Sequence, residues 1–120
     1  MTSAAVPTAP ERLRRPGDVV ATLRRGRHRA GALLALHARR REPATGPARM
    51  TVVASRKVGN AVRRNRAKRL LRSAAHGRPW AEGVDLVLVA RPACADAGMA
   101  AVRTELEDHA RSLGALAGGA

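Results

Sequence analysis

One stretch of this sequence concentrates side chains that could do chemistry. Residues 55–72 read SRKVGNAVRRNRAKRLLR and hold eight bases, Arg56, Lys57, Arg63, Arg64, Arg66, Lys68, Arg69 and Arg72, with no acid. A guanidinium presents a rigid fork of donors that suits phosphate oxygens and can stack on a base, whereas an ammonium acts as a point charge. Asn65 sits in the middle of the row. It adds a directional donor and acceptor that can hold a phosphate, a 2′-hydroxyl or a neighbouring arginine in register. Gly59 permits close backbone approach or a positive φ ahead of a helix, and N–H groups near Asn60 and Ala61 are placed to receive a phosphate. The chemistry on offer is polyanion binding. GNAVRRNR is not a nucleotide-hydrolase phosphate loop, which needs GxxxxGK[ST].

The remaining reactive side chains do not assemble a catalytic centre. His28, His37, His76 and His109 are far apart in sequence and lack a Cys or carboxylate at ligand spacing, so no zinc site is expected. Asp85 and Asp96 lie near strand and loop ends and pair with no other carboxylate. Asp18 reads as a helix cap. Cys94 reads as a small apolar residue after a strand, and Trp80 as a cap on the core beside Pro79. A protein-only nuclease would require clustered carboxylates or histidines. No catalytic residue and no protein metal ligand is therefore assigned.

The elements that must position the basic row follow from periodicity. Stepped at 100° per residue, Ala67, Leu70, Leu71 and Ala74 group on one side of a helix over 61–76, with Arg63 beside them. Arg64, Asn65, Lys68, Arg69 and Arg72 lie opposite, with Arg66 toward the flank. The like charges at i,i+4, Arg64–Lys68 and Lys68–Arg72, cost helix stability unless a partner supplies negative charge. Gly77 and Pro79 stop this helix. VDLVLVA at 84–90 is the most apolar strand and is expected to be central. Strands are also predicted at 32–38 and 49–55. A short helix is predicted with Asp18 as N-cap and Gly26 as stop, and a last helix over 98–113. The expected fold is a small α+β sandwich of the α/β class, a small mixed sheet with helices over one face and the other partly open. Residues 1–10 read as a disordered tail without signal-peptide character. Residues 11–116 read as one domain, and 117–120 as a frayed end.

Composition bounds the function. The 120-residue chain carries a formal net charge of +14, and 21 of its 23 bases are Arg. Residues 1–80 hold 20 bases and 3 acids, whereas residues 81–120 hold 3 bases and 6 acids. That asymmetry describes a binding surface rather than a solubility device. A single Cys excludes a disulfide scaffold, and no apolar run approaches the ~18 residues of a membrane span. Trp80 is the one aromatic residue.

The segment SRKVGNAVRRNRAKRLLR resembles the signature of the bacterial ribonuclease P protein component, centred on Arg64-Asn65-Arg66 and Lys68-Arg69. RLRR at 12–15, Asp18, RRGR at 24–27, RMTVVASRKVG and VDLVLVARPACAD follow in the expected order, so the likeness spans roughly residues 11–115. It implies a parallel strand–helix–strand unit with a left-handed crossover, an exception to the usual hand. It implies a cytoplasmic, non-catalytic subunit of an RNA-based endonuclease that removes the 5′ leader from precursor tRNA. The partners would be the catalytic RNA and precursor tRNA, with no membrane and no obligate protein partner. Mg2+ would be held mainly by the RNA and not by a protein site. By similarity, Arg56, Lys57, Arg64, Asn65, Arg66, Lys68, Arg69 and Arg72 contact the catalytic RNA. A cleft between the first helix and the sheet, at Val19, Leu23 and His37, holds the leader. Val19 and Leu23 stand where Phe is usual, and His37 where Tyr or Phe is common, so the leader grip is expected to lean on arginines and apolar contact. Pro16-Gly17 departs from the usual Ser-type cap. The alternative is a structural RNA-binding protein of ribosomal type with a similar core. A DNA-binding module would favour a helix-turn-helix or dimer seam, and neither is evident.

Overall fold

The apolar strand VDLVLVA folds as the centre of a five-stranded mixed sheet in the computed structural model, which describes residues 10–118. The elements in chain order are β1 (Glu11–Arg12), α1 (Pro16–Arg25), β2 (Arg27–Ala30), β3 (Leu34–Arg40), β4 (Arg49–Val53), α2 (Ala61–Ala75), β5 (Val84–Ala90) and α3 (Met99–Ser112). Short 3₁₀ turns at Arg56–Val58 and Pro92–Asp96 follow β4 and β5. The strand order is β1-β4-β5-β3-β2. β5 pairs parallel with β4 and antiparallel with β3.

Strand alternation divides the sheet's residues between two faces. Leu34, Leu36, Val52, Leu86 and Leu88 join the core, with Ala67, Leu71 and Ala74 of α2 and Val102, Leu106 and Ala110 of α3. Each fully buried Leu contributes about 1.5–3 kcal/mol of transfer free energy. The small Ala positions on α2 let that helix lie close to the sheet, so a core without Phe or Tyr still closes. Trp80 is buried beside α2 and donates from Nε1 to the Ala75 carbonyl at 3.0 Å. Glu105 of α3 accepts from the N–H groups of Leu33 and Leu34, at 3.0 and 2.9 Å. That contact fixes the β2–β3 turn onto the helix layer.

The second face is organised by a charge. Asp85 is fully buried, and its register partners are Arg39 on β3 and Arg49 on β4. Arg49 grips both carboxylate oxygens at 2.8 Å, Arg41 donates to Oδ1 at 2.8 Å, and Arg39 stands 3.7 Å away. Arg49 also reaches Asp18 of α1 at 3.5 Å. α1 therefore rests on this second face, with Thr22 fully buried beneath it. Gly26 ends the helix through its N–H to the Thr22 carbonyl. A Cβ there would collide with the Thr22 carbonyl and come within 2.8 Å of the Ala38 carbonyl, so helix and strand meet only because the residue is glycine.

Several expectations are corrected. The helices do not share one face, because Arg49 draws α1 to the opposite side from α2 and α3. Asp18 is not the N-cap. The helix begins at Pro16 after Arg15, and Asp18 lies in its first turn bound to Arg49. The strand expected at 32–38 runs 34–40, because its pairing with β5 extends to Arg40. Asp85 is a buried hub rather than a strand-end acid. The tail at 1–9 and residues 119–120 lie outside the described residues. Near the end of the described residues, Ala117 N–H donates to the Pro79 carbonyl, and Leu116 pairs with Trp80.

Removing the Asp85 carboxylate leaves Arg39 and Arg41 without their counter-charge and Arg49 with only the 3.5 Å contact to Asp18. Asp85→Ala should lower stability by about 3 kcal/mol, at the lower end for a broken buried pair because the arginines retain some water. Urea denaturation checks this, and a loss below ~1 kcal/mol would remove Asp85 from its place as the hub.

Candidate nucleic-acid interface

α2 starts where the chain can turn sharply from the sheet. Gly59 has φ +136°, a conformation that favours glycine, and a Cβ there would meet Cδ of Arg63 at 2.7 Å. Asn60 is the N-cap, its Oδ1 accepting from the Arg63 N–H at 3.0 Å. One N–H of the helix start is therefore capped by the chain's own side chain, as expected for Asn at this position.

Arg63 folds over Gly59 and is used up internally. It donates from Nε to the Val58 carbonyl at 3.0 Å and holds Asp96 through a two-pronged bridge at 2.8 and 2.9 Å. The hydrogen bond from Arg63 holds the Asp96 carboxyl below its ordinary range, and the same bond raises Arg63. Arg63 thus secures the N-terminal turn of α2 to the loop after β5.

The other basic residues of the segment point elsewhere. Arg56, Lys57, Asn65, Arg66, Arg69 and Arg72 are exposed, and Arg64 and Lys68 are half-buried at the edge of the packed face. Among the described residues, none of these eight side chains makes an ion pair within 4 Å or a side-chain hydrogen bond. Arg64 Nε is buried with no acceptor in reach. From Arg64 to Arg72 the row runs about 12 Å along the helix axis. Six arginines behave differently: Arg39, Arg41, Arg49, Arg63, Arg78 and Arg111 all bind acids. The outer face of α2 is a cationic surface with its neutralising charge left to a partner.

The basic surface extends further than the sequence motif. A cavity of about 340 Å³ lies between the C-terminal half of α2 and the β1–β4 edge, lined by Arg12, Met50, Val52, Arg72 and His76. Arg12 and His76 were not among the expected contacts. The cluster RLRR was the available signal for Arg12. Its placement beside Arg72 depends on the parallel β1–β4 pairing, which two residues do not announce.

The leader-cleft residues expected by resemblance sit on the second face of the sheet. Val19 is half-buried on α1, Leu23 is 39% exposed, and His37 is half-buried on β3. Val20 and Val53 add exposed apolar surface there. His37 is paired in register with His28 of β2, and the two rings stack with centroids 5.2 Å apart and planes 19° apart. Burial, and then the charge of His28, hold His37 below the usual imidazole range. Its Nδ1 is buried without a partner. His28 had no sequence signal, because its meeting with His37 is a matter of strand register.

Other reactive groups are spent on packing. Burial pushes the Cys94 thiol up to about 11, with Glu105 adding to the rise, so it remains protonated and unreactive at neutral pH. His109 is buried against Glu105 at 3.3 Å. No helix among the described residues is long and apolar enough to cross a membrane.

The lowered His37 gives a stability prediction. The folded chain favours the neutral ring, while the unfolded chain takes up a proton near pH 6.5. The contribution is whole above that value and is lost as pH falls through the lowered one. His37→Gln should therefore flatten the loss of stability between pH 7.5 and 5.5, read by urea denaturation at each pH. An unchanged slope would contradict it.

Comparison with known proteins bears on the geometry. The family model described as Ribonuclease P matches residues 8–114. The ribonuclease P protein component of Ruegeria pomeroyi is 42% identical over 87 residues, spanning 67% of this chain and 66% of that protein. The component of a Nocardioides species is 40% identical over 103 residues, spanning 83% of this chain and 88% of that protein. Among solved structures, the RNase P protein from Thermotoga maritima matches with TM-score 0.68 and 25% identity, covering 82% of this chain and 93% of that one. The Staphylococcus aureus RNase P protein matches with TM-score 0.71 and 22% identity, covering 84% and 93%.

Proposed function

Because the chain belongs to the ribonuclease P protein family, we propose that it binds the catalytic RNA of ribonuclease P and helps it cut the 5′ leader from precursor tRNA. The observation that carries this reading is the outer face of α2. Six side chains of α2 that could take phosphate oxygens or sugar hydroxyls, with Arg56 and Lys57 of the preceding turn, face outward or lie at the helix edge without internal partners among the described residues.

In this reading Arg64, Arg66, Arg69 and Arg72 bind RNA phosphates, Lys68 adds a point charge, and Asn65 fixes register. Arg56 and Lys57 extend the contact past the N-terminus of α2. The second face, between α1 and the sheet, takes the single-stranded leader at Val19, Leu23 and His37. The protein lowers the repulsion between catalytic RNA and substrate and positions the leader.

The holoenzyme acts as a tRNA-processing hydrolase, and the protein contributes no reacting group. Divalent ions on RNA phosphates would supply the hydrolytic chemistry. The chain's own donors do not fit such an ion. Among the described residues no three of His, Cys, Asp and Glu come together. Asp18, Asp85, Asp96 and Glu107 already bind arginines.

Reconstitution tests the reading. The chain mixed with its cognate ribonuclease P RNA and precursor tRNA at low magnesium should enhance leader removal, and the chain alone should cut nothing. Equal cleavage with and without the chain across a range of magnesium would sink it. The interface has its own test. Arg64→Ala with Arg66→Ala should weaken RNA binding and reduce the salt dependence, log Kd against log salt, by about 1.5. The fold should survive, because neither side chain holds another element. An unchanged slope would remove both residues from the interface.

A further inference from the structure

We propose that the stacked His28–His37 pair is a base-binding platform for an unpaired leader nucleotide, and that its grip tightens as pH falls. This rests on the leader reading above and supplies its chain-specific chemistry. His28 is the new residue in it.

Geometry comes first. The β2–β3 register sets His28 directly opposite His37, and the rings lie nearly parallel, 5.2 Å apart. β2 is the edge of the sheet, so no strand stands beyond His28, and its ring is exposed. A base laid on the outer face of His28 extends the stack from two rings to three. Base–aromatic stacking tolerates any sequence because every base has a π-face. On this face the chain has no Phe, Tyr or Trp to offer, and these two imidazoles are its available flat rings.

Charge comes second. Arg39 shares the face two residues along β3. Asp85, opposite Arg39 on β5, is already bound by Arg41 and Arg49. Directly opposite His37 on β5 stands Val87, which is apolar. Arg27 and Arg29 flank His28 on β2 but, by strand alternation, belong to the sheet's other face. α1 carries Asp18, engaged by Arg49, and Arg24 and Arg25 in its last turn. No free carboxylate stands among these groups, and burial, then the charge of His28, disfavours a proton on His37 in the free protein. The buried Nδ1 of His37 adds to this, because a proton there would find no acceptor. A phosphodiester chain reverses the local sign. Binding then draws a proton onto the pair, and by linkage a lower pH strengthens binding.

The experiment compares reconstituted holoenzymes carrying the native chain, His28→Ala or His28→Phe. Equilibrium affinity is measured at pH 6 and pH 8 for a non-cleavable precursor tRNA and for the same tRNA without a leader. The ratio of the two isolates the leader's share. With the native chain that share should grow roughly three- to tenfold from pH 8 to pH 6. His28→Ala should cost at least about fivefold at pH 6 and remove most of the pH dependence. His28→Phe should keep leader affinity at pH 8 and lose most of the pH dependence, because a ring remains while only His37 is left to take a proton. A leader share present in the native complex and unchanged by His28→Ala at both pH values would overturn the platform while leaving the leader reading intact. No leader share at all in the native complex would overturn both.

Discussion

A carboxylate with no access to water holds three strands and a helix in place. Asp85 lies in the middle of the sheet, where an unpaired charge would be prohibitive. Its position is tolerable only because β3 and β4 bring Arg39, Arg41 and Arg49 around it. Such an arrangement rewards one register only. Sliding β4 by one residue would turn Arg49 to the wrong face and leave Asp85 with a weaker partner. Arg49 then passes the constraint outward to Asp18, so the seating of α1 is linked to the order of the strands beneath it. The groove beside α1 takes its shape from that linkage.

Acids are scarce in this chain, and their use is selective. Asp18, Asp85, Asp96 and Glu107 neutralise arginines that tie elements together. Glu105 holds the β2–β3 turn through backbone N–H groups and contacts His109. The arginines on the outer face of α2 receive none of this charge. Cations in the first group brace the fold, and cations in the second generate the field that a polyanion meets. The two groups share one residue type and, at Arg63 and Arg64, adjacent positions on one helix. What separates them is the 100° turn between neighbours.

Much of this could be read along the chain. β5 was legible to its end residues because seven consecutive apolar-rich positions between Gly83 and Pro92 allow little else. α2 was legible within a residue because Ala67, Leu71 and Ala74 recur at helical spacing, and its outward residues followed from the same wheel. β1 and β2 were not legible. Residues 11–12 and 27–30 carry no alternation, and all six are exposed. They are strands because a neighbour pairs with them, and no burial pattern records that. Asp85 was visible as a lone acid in an apolar strand, but its partners lie 36 to 46 residues away in sequence. On the face that carries α1, the choice of Val19, Leu23 and His37 came from resemblance. The meeting of His28 and His37 needed the hairpin register.

The two outer strands have a further consequence. A free strand edge is a template on which another sheet can grow. Here one edge is a two-residue strand ending in Arg12. The other carries Arg27 and Arg29, each flanking a histidine. A second copy adding to the β2 edge would pack Arg27 and Arg29 against its own cationic surface. That edge is thereby guarded by charge, with no covering element among the described residues.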